Sequence, residues 1–303
     1  MSDTFLAVVN PVAGHGRCGK QAGPALDRLR AAGVKLEVVE TRYAGNGIEL
    51  VREAYRRGIR RFLAVGGDGI SYEIVNGLFP GAENESGERP TLAMLPLGTG
   101  NSFLRDFTTE RAVEFATQAL LEGRSRPCDV LRMTHRKGVI HFINLLSMGF
   151  AADAATLTNR KFKRWGHVGY LFGVLACLVP FYRRAFPHRL DDDREVERRP
   201  CLFLTFNNSK FTGRTMMIAP YADTADGLIE YVFWGPIGRL GLLRNLHMLY
   251  DGSHVNHPLA SRRAVRTVEF YLDAPVDVMV DGEVLTLQCQ KLDVLPSVLN
   301  VMA

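Results

Sequence analysis

A single carboxylate stands among three glycines in the stretch Gly66-Gly67-Asp68-Gly69. Glycine permits unusual backbone angles and lets another group approach the chain closely, and a helix N-terminus offers unpaired N–H donors to an anion. An acid beside a phosphate site becomes chemically useful when a divalent cation bridges the two. The stretch therefore predicts either a phosphate cradle with a metal-linked acid, or only a tight turn that leaves Asp68 at the surface.

A second stretch repeats this design, since an apolar run beginning at residue 91 leads into Gly98-Thr99-Gly100-Asn101. In a parallel sheet every strand-to-helix turn lies at the carboxyl edge, where open α/β folds bind their ligands. Two turns of small polar residues at one edge are expected to face one crevice. Together they indicate a phosphate cradle more strongly than either does alone.

The flanking residues predict the elements that hold these turns. Residues 62–65 are an apolar run typical of a buried strand, and apolar residues recur at helical spacing from 70 to 78. Ser71 is placed to accept hydrogen bonds from the first free N–H groups of that helix. After the second turn we expect another helix through Phe103 and Phe107.

The remaining pattern divides the chain in two. Up to residue 122 strands and helices alternate, which predicts a parallel sheet covered by helices on both faces. The stretch 124–128 is typical of a boundary, and the second half is dominated by strands that alternate apolar and polar residues. We expect 183–200 to be an exposed loop or hairpin tip and 236–250 to contain a helix. The predicted strands of the second half are 129–134, 139–146, 201–206, 228–234, 265–272, 276–281 and 284–288.

Composition narrows the class of protein. The 303 residues are 47% hydrophobic and 23% charged with a net charge of +5, which is ordinary for a folded globular chain. Much of the positive charge occurs in short basic runs, at 56–61, 160–164, 183–184 and 262–263. These runs suit phosphates or an anionic membrane surface, but no stacking aromatics interleave them, which argues against a nucleic-acid partner. Five scattered cysteines favour a reducing compartment. We expect no signal peptide, because the N-terminus leads directly into a strand, and no transmembrane segment, because the apolar run 168–182 is too short to span a bilayer.

Two nucleotide-binding motifs match near the N-terminus and both are incomplete. Residues 14–19 satisfy GxGxxG, with Glu40 about where a ribose-binding acid belongs, but Asn10 and Pro11 separate the glycines from the strand. Residues 14–20 satisfy GxxxxGK, yet Gln21 stands where a P-loop needs a hydroxyl for Mg²⁺. An NAD-dependent oxidoreductase therefore stays open only as a minor alternative.

Two acidic groups mark the second half. Asp223 and Asp226 lie three residues apart in a glycine-containing turn, which suits a hard cation but equally suits an Asx turn without metal. Asp281-Gly282 between two alternating strands is first of all a hairpin turn. Glu283 directly after it becomes a candidate general base if that hairpin faces the glycine crevice.

These motifs occur in an order that resembles the diacylglycerol kinase catalytic family, which includes bacterial lipid kinases, sphingosine kinases and ceramide kinases. The resemblance is carried by Asn10-Pro11 with Gly14, GGDG at 66–69, PLGTGN at 96–101, the AP…DG run at 219–227 and VDGE at 280–283. It implies a three-layer α/β domain similar to that of NAD kinases and phosphofructokinases, over 1–128 and completed by 291–303. It also implies a β-rich, sandwich-like lipid-substrate domain over 129–290, with ATP and substrate meeting in the cleft between the domains.

The resemblance also implies a role for individual residues. Asp68 matches the acid tied through water to a catalytic Mg²⁺, and Glu283 matches the proposed base, so these two are the catalytic candidates. Asp129 matches a further acid of the metal network, and a structural Mg²⁺ site is implied at Asp223, Asp226 and the carbonyl of Leu228. The implied nucleotide-binding positions are Asn10, Thr41, Gly66, Gly67, Asp68, Gly69, Ile70, Ser71, Tyr72 and Thr99.

Three departures from the family pattern bear on activity. The usual GGDGT-x-N continues here as Ile70-Ser71-Tyr72, which loses a hydroxyl and an amide near the phosphates. Ser102 stands where many members have Asp, and Ala225 replaces the first Asp of the common DDG. These changes leave a non-catalytic lipid- or nucleotide-binding relative open as an alternative. The acids and the threonine carried over above remain, which favours an active enzyme.

The sequence thus predicts an ATP- and Mg²⁺-dependent lipid kinase that phosphorylates a hydroxyl of a diacylglycerol-like or sphingoid lipid. An NAD kinase-like enzyme is the near alternative, disfavoured because GTGNSFLRDF is the lipid-kinase form of the second turn. We expect a cytoplasmic protein that meets its lipid at a membrane surface. The apolar segment 165–182 is a candidate for that contact and equally a candidate for a buried helix. A homodimer stays open.

Overall fold

The computed structural model describes residues 4–83, 87–109, 111–150, 152–153, 182–213 and 215–303. Within these ranges the α-helices are α1 (Arg17–Ala31), α2 (Asn46–Arg56), α3 (Asp68–Leu78), α4 (Ala112–Glu122), α5 (Arg239–Asn245) and α6 (Met248–Asp251). The strands of the first half are β1 (Phe5–Val9), β2 (Leu36–Glu40), β3 (Arg61–Gly66), β4 (Thr91–Pro96), β5 (Ser125–His135), β6 (Gly138–Phe142) and β7 (Leu145–Gly149). Those of the second half are β8 (Arg184–Ala185), β9 (His188–Leu190), β10 (Pro200–Cys201), β11 (Phe203–Asn207), β12 (Phe211–Thr212), β13 (Met216–Met217), β14 (Ile229–Trp234), β15 (Ala260–Val265), β16 (Thr267–Phe270), β17 (Val276–Val280), β18 (Glu283–Leu287) and β19 (Cys289–Met302).

The first four strands form a parallel sheet in the order β2-β1-β3-β4. Successive residues of β3 alternate between two cores, because Phe62 and Ala64 face α2 and α3 while Leu63 and Val65 face α1. A strand buried on both faces has to be apolar throughout, as 62–65 is. The predicted three-layer α/β fold is confirmed.

This sheet continues into the second half of the chain. The C-terminal strand β19 lies parallel to β4, with Asn300 opposite Thr91, and antiparallel to β5. Strands β16 and β9 extend the sheet beyond β19. Strand β5 begins at Ser125 and continues to His135, so all but the first residue of 124–128, where the sequence predicts a boundary, lies within a strand. The α/β and β-rich parts therefore share a sheet rather than being joined by a linker.

A second, antiparallel sheet completes the β-rich part in the order β15-β14-β11-β7-β17-β18. One of its faces packs on the antiparallel half of the first sheet and forms a core that includes Leu131, Phe142, Met148 and Phe206. The other face packs under α5 and α6. The predicted sandwich-like second domain is confirmed in architecture.

Two predictions about the turns are wrong in detail. Helix α3 begins at Asp68 behind Gly67, with no side-chain cap, so Ser71 lies inside the helix and does not cap it. After the second turn the chain forms only a short 3₁₀ helix, Phe103–Asp106, and α4 starts later at Ala112. A side-chain interaction explains the first difference: the carboxylate of Asp68 accepts the backbone N–H of Ser102 across the crevice, which anchors the start of α3 there.

Three elements of the second half also differ from prediction. The strand expected over 139–146 is two strands, because the N–H groups of 143–145 turn away to bind the carboxylate of Asp281. The stretch 183–200 contains β8, β9 and the first residue of β10; β8 pairs with β10, and β9 joins the first sheet. The helix expected over 236–250 is divided into α5 and α6.

The apolar segment 165–182 lies outside the described residues, apart from Tyr182. Among the residues that the structure does describe, no helix is both long and apolar enough to cross a membrane.

Candidate active site

The register of the parallel sheet brings three predicted residues to one edge. Val9 lies opposite Glu40 on β2 and opposite Val65 on β3, so Asn10, Thr41 and Gly66 follow the same rung of neighbouring strands. Asn10 donates its N–H to the Val65 carbonyl at 3.0 Å, and Thr41 donates its N–H to the Val9 carbonyl at 2.9 Å. The edge is thus a continuous rim of short polar residues.

The two glycine turns are in direct contact at this edge. The Gly98 N–H donates to the Gly66 carbonyl at 2.6 Å, and a methyl group on Gly98 would lie 2.5 Å from the Gly67 Cα. A methyl group on Gly67 would lie 3.8 Å from the Thr99 nitrogen. At position 98 only glycine permits this approach, so the two turns form one cradle, as their sequence pattern predicts.

Asp68 lies between the turns at the first residue of α3. Its Oδ2 accepts the Ser102 N–H at 2.9 Å, and a methyl group on Gly100 would lie 2.6 Å from the same oxygen. Burial raises the pKa of Asp68, while the backbone N–H groups of the second turn act in the opposite direction. The carboxylate is therefore fixed in place by the turn that it faces.

The three residues after the first turn point into the protein. The side chains of Ile70, Ser71 and Tyr72 are all buried, with Ile70 in the core of the α/β part and Tyr72 in the core of the β-rich part. Their side chains are packed rather than exposed at the cradle. The nucleotide-binding role predicted for these residues therefore has no exposed side chain to act through, and the Ile70 N–H already donates to the Gly67 carbonyl at 3.2 Å.

Glu283 reaches the cradle from the other part of the protein. It begins β18, directly after the Asp281-Gly282 turn of the β17–β18 hairpin. A methyl group on Gly69 would lie 2.8 Å from Glu283 Oε1, so this carboxylate stands directly over the first turn. The hairpin does face the glycine crevice, which is the condition that the sequence set for a base at this position.

Asp281 holds that hairpin, and sequence reasoning treats it only as a turn residue. Its Oδ1 accepts the N–H groups of Asn144 and Leu145, both at 3.0 Å, and its Oδ2 accepts the N–H of Ile143 at 3.1 Å. Burial and the nearby charge of Asp68 raise the pKa of Asp281 to about 7. The one sequence signal was an acid placed directly after an apolar strand.

The second predicted acidic group lies around the loop 223–228. Asp223 Oδ1 accepts the Ala225 N–H and Asp226 Oδ1 accepts the Leu228 N–H, which are Asx turns. Asp129 is fully buried and accepts the N–H groups of Gly227 and Ser297, both at 2.6 Å. The predicted residues are therefore neighbours, with their carboxylates already engaged by the backbone.

Carboxylates that could bind Mg²⁺ lie both at the cradle and at the loop 223–228. Within the described ranges, no set of three or more His, Cys, Asp or Glu side chains has a geometry that could hold a metal ion. At the loop, burial raises the pKa of Asp226, and the charges of Asp223 and Asp129 raise it further. At the cradle, the charge of Asp68 acts on Asp281 in the same way. Oxygen ligands with uncompensated negative charge suit a hard cation chemically, although the loop does not present an assembled ligand set.

An apolar cavity of about 300 Å³ lies under the second sheet, close to the hairpin. Its wall includes Leu145, which donates its N–H to Asp281, and Met279 of β17. Leu242 of α5, Leu249 of α6 and Leu246 between the two helices line its other side. The cavity thus begins next to the residues that position Glu283. Its size and lining are typical of a site for an aliphatic chain.

Family models match most of the chain. Residues 4–133 match the diacylglycerol kinase catalytic domain, and residues 144–303 match the YegS C-terminal NAD kinase beta sandwich-like domain. Both resolved turns and the Glu283 hairpin lie inside these matches.

Curated relatives cover nearly the same length. The protein named "Probable lipid kinase YegS-like" of Chromohalobacter salexigens is 34% identical over 86% of this chain and 81% of its own. The diacylglycerol kinase of Mycobacterium tuberculosis is 28% identical over 98% of this chain and 94% of its own. Sphingosine kinase 1 of Arabidopsis thaliana is 25% identical over 93% of this chain and 68% of its own.

A solved structure shares the fold. The crystal structure of a diacylglycerol kinase from Bacillus anthracis superposes with a TM-score of 0.70 at 18% identity, covering 99% of this chain and 96% of that one. The shared arrangement of both sheets over the full length supports the architecture described above.

Proposed function

The chain belongs to the diacylglycerol kinase catalytic family of lipid kinases, phosphotransferases with an alcohol acceptor, and we propose that it transfers the γ-phosphate of ATP to a hydroxyl of a diacylglycerol-like or sphingoid lipid, with Mg²⁺. One observation carries the proposal: the carboxylate of Glu283 stands over Gly69 of the phosphate cradle, on a hairpin whose other strand, β17, lines the apolar cavity with Met279.

The cradle supplies the phosphate site. Backbone N–H groups of the two turns, at the N-terminus of α3, offer donors to an anion without any side-chain charge. The rim residues Asn10 and Thr41 flank the adjoining strands, and Thr99 lies in the second turn. In this proposal the nucleotide lies along that rim with its terminal phosphate at Gly66–Gly69.

Glu283 acts as the general base. The β17–β18 hairpin, held by three N–H groups on Asp281, presents the carboxylate to the turn where the phosphate is proposed to lie. Glu283 takes the proton from the lipid hydroxyl as its oxygen attacks phosphorus, and the ADP oxygen leaves on the opposite side. A positioned base of this kind contributes roughly 10²–10⁴-fold to the rate.

Asp68 is the proposed residue for the catalytic Mg²⁺, which would neutralise the charge on the transferred phosphate. Support comes from its position at the cradle and from the negative charge that it shares with Asp281. The loop carboxylates Asp223 and Asp226, with the Leu228 carbonyl, are proposed for a structural Mg²⁺, through which no catalytic step passes. Asp129, which the resemblance assigns to the metal network of Asp68, lies against this loop and is proposed as an acid of the loop site instead.

The cavity supports a lipid acceptor. Its lining is apolar except for a few groups, one of which is the Ser147 hydroxyl, buried and without a hydrogen-bond partner among the described residues. A lipid with one polar group near its chain would satisfy that hydroxyl. We propose further that the protein is cytoplasmic and meets its substrate at a membrane surface.

The test is transfer of labelled γ-phosphate from ATP and Mg²⁺ to lipids in mixed micelles. The panel holds diacylglycerol, monoacylglycerol, sphingosine and ceramide, with NAD as the soluble control. We expect one lipid to be labelled by the wild type and not by Asp68→Asn. Label on NAD would establish the NAD kinase-like alternative, and ATP binding without transfer to any acceptor would favour a non-catalytic relative.

A further inference from the structure

The short helix α5 exposes apolar side chains to an unusual degree. Leu240 is 83% exposed and Leu243 is 48% exposed, although Leu242 on the same helix is buried in the core under the second sheet. Exposed leucines on a helix cost solubility and are seldom grouped without a partner. The outward side of α5 therefore requires an explanation that the proposed catalytic chemistry does not provide.

The charges on α5 are arranged around these leucines. Viewed down the helix axis, at about 100° per residue, four side chains occupy an arc of roughly 140°, in the order Arg239, Leu243, Leu240 and Arg244. All four side chains are exposed. The leucines occupy the middle of the arc and the arginines its two edges, and we call this surface the α5 face.

The α5 face carries one sign of charge. Residues 235–250 contain two arginines and no aspartate or glutamate. An apolar centre with basic edges matches an anionic lipid surface, where leucines enter the acyl boundary while arginines extend to the headgroups. A second copy of the chain is disfavoured as occupant, because a two-fold contact would set these arginines against each other.

The α5 face also adjoins the proposed lipid site. Leu242 and Leu246, on the inner side of the same segment, line the apolar cavity, and Tyr250 of α6 both lines the cavity and is 53% exposed. The cavity wall thus reaches the surface within two turns of the outward leucines. A bilayer against α5 would lie beside the cavity.

We propose that the α5 face docks on anionic bilayers and brings the cavity to the lipid from which the acceptor is drawn. The reason for docking rests on the proposed function, whereas binding of the protein to a bilayer can be measured without catalysis. It places the membrane contact on α5, which is separate in sequence from the candidate segment 165–182.

The first measurement is cosedimentation with vesicles made of equal parts phosphatidylglycerol and phosphatidylcholine. Leu240→Asn/Leu243→Asn and Arg239→Gln/Arg244→Gln are each expected to bind about tenfold more weakly than the wild type. Leu121→Asn is the matched control, because Leu121 is 47% exposed on α4 in the α/β part. Vesicles of phosphatidylcholine alone should bind the wild type weakly. Unfolding midpoints of all variants should match, since every changed side chain is exposed.

The second measurement separates docking from catalysis. On a short-chain, water-soluble lipid the α5 variants should transfer phosphate at the wild-type rate, and on vesicles their rate should fall in step with binding. Wild-type binding without transfer to any lipid would overturn the proposed function and leave docking standing. Equal vesicle binding by wild type and both variants would overturn docking. A wild-type dimer that the leucine variant turns into a monomer would also overturn it, by making the α5 face a subunit interface.

Discussion

Gly69→Ala tests the contact on which the proposed function depends. The added methyl group would lie 2.8 Å from Glu283 Oε1, well inside ordinary contact, while no other atom of the protein is as close. That oxygen is at the flexible end of a side chain, so the backbone can stay in place and the carboxylate moves. We expect Glu283 to retreat by roughly half an ångström to reach ordinary van der Waals contact.

The expected effect is a loss of rate without a loss of stability. A misplacement of about 1 Å at a reacting centre costs roughly 10²-fold, so about half that displacement should lower kcat roughly tenfold. Gly69 lies in the first turn of α3, where alanine reduces the freedom of the unfolded chain. The free energy of unfolding should therefore be unchanged or higher by about 0.5 kcal/mol.

The assay is steady-state phosphate transfer together with urea unfolding. Gly23→Ala is the control, because Gly23 lies within α1 and a methyl group there has no neighbour within 4 Å. In the background of Glu283→Ala, Gly69→Ala should cause no further loss, since the methyl group acts through that carboxylate. A wild-type kcat for Gly69→Ala, or additive losses in the double variant, would refute the reasoning.

Three further predictions concern other parts of the site. Burial and the charge of Asp68 raise the pKa of Asp281 to about 7, so the native state binds the proton of this carboxyl more tightly than the unfolded chain does. The contribution of Asp281 to the free energy of unfolding therefore decreases as the pH rises from about 4 to 7. Urea unfolding should therefore show Asp281→Asn gaining on the wild type by up to about 4 kcal/mol over that range; a pH-independent difference would contradict this. Asn76→Ala removes the side-chain amide that bonds the His141 N–H and carbonyl, and should lower the free energy of unfolding by about 2–3 kcal/mol in the same assay. Added Mg²⁺ should raise the melting temperature of the wild type but not of Asp226→Asn, because a cation at the loop relieves the repulsion among its carboxylates; equal shifts would exclude that site.

Local signals account for what the sequence predicts correctly. Each glycine turn, the strand before it and the Asp281-Gly282 hairpin are specified within a few consecutive residues, and the structure contains all of them. The alternation of β3 between two cores follows from its unbroken apolar run. Only the family resemblance indicated that the Glu283 hairpin faces the first glycine turn. The spacing of the motifs along the chain leaves that contact open.

Long-range contacts account for the rest. The break at 143–145 depends on a carboxylate well over a hundred residues away, and nothing in the local pattern of 139–146 indicates it. The carboxylate of Asp68, at the start of α3, accepts the N–H of Ser102, which is distant in sequence, whereas the local pattern favours the nearer Ser71 as the cap. The shared sheet depends on β19 returning to β4, which no local feature shows and which only the resemblance implied for residues 291–303.

The most direct test of the account is single-turnover phosphate transfer by Glu283→Gln at saturating lipid. Glutamine keeps the size of the side chain but cannot accept the proton, so the transfer rate should fall by roughly 10²–10⁴-fold while the affinity for ATP stays at the wild-type value. A rate within a few-fold of the wild type would contradict the assignment of the base across the glycine cradle.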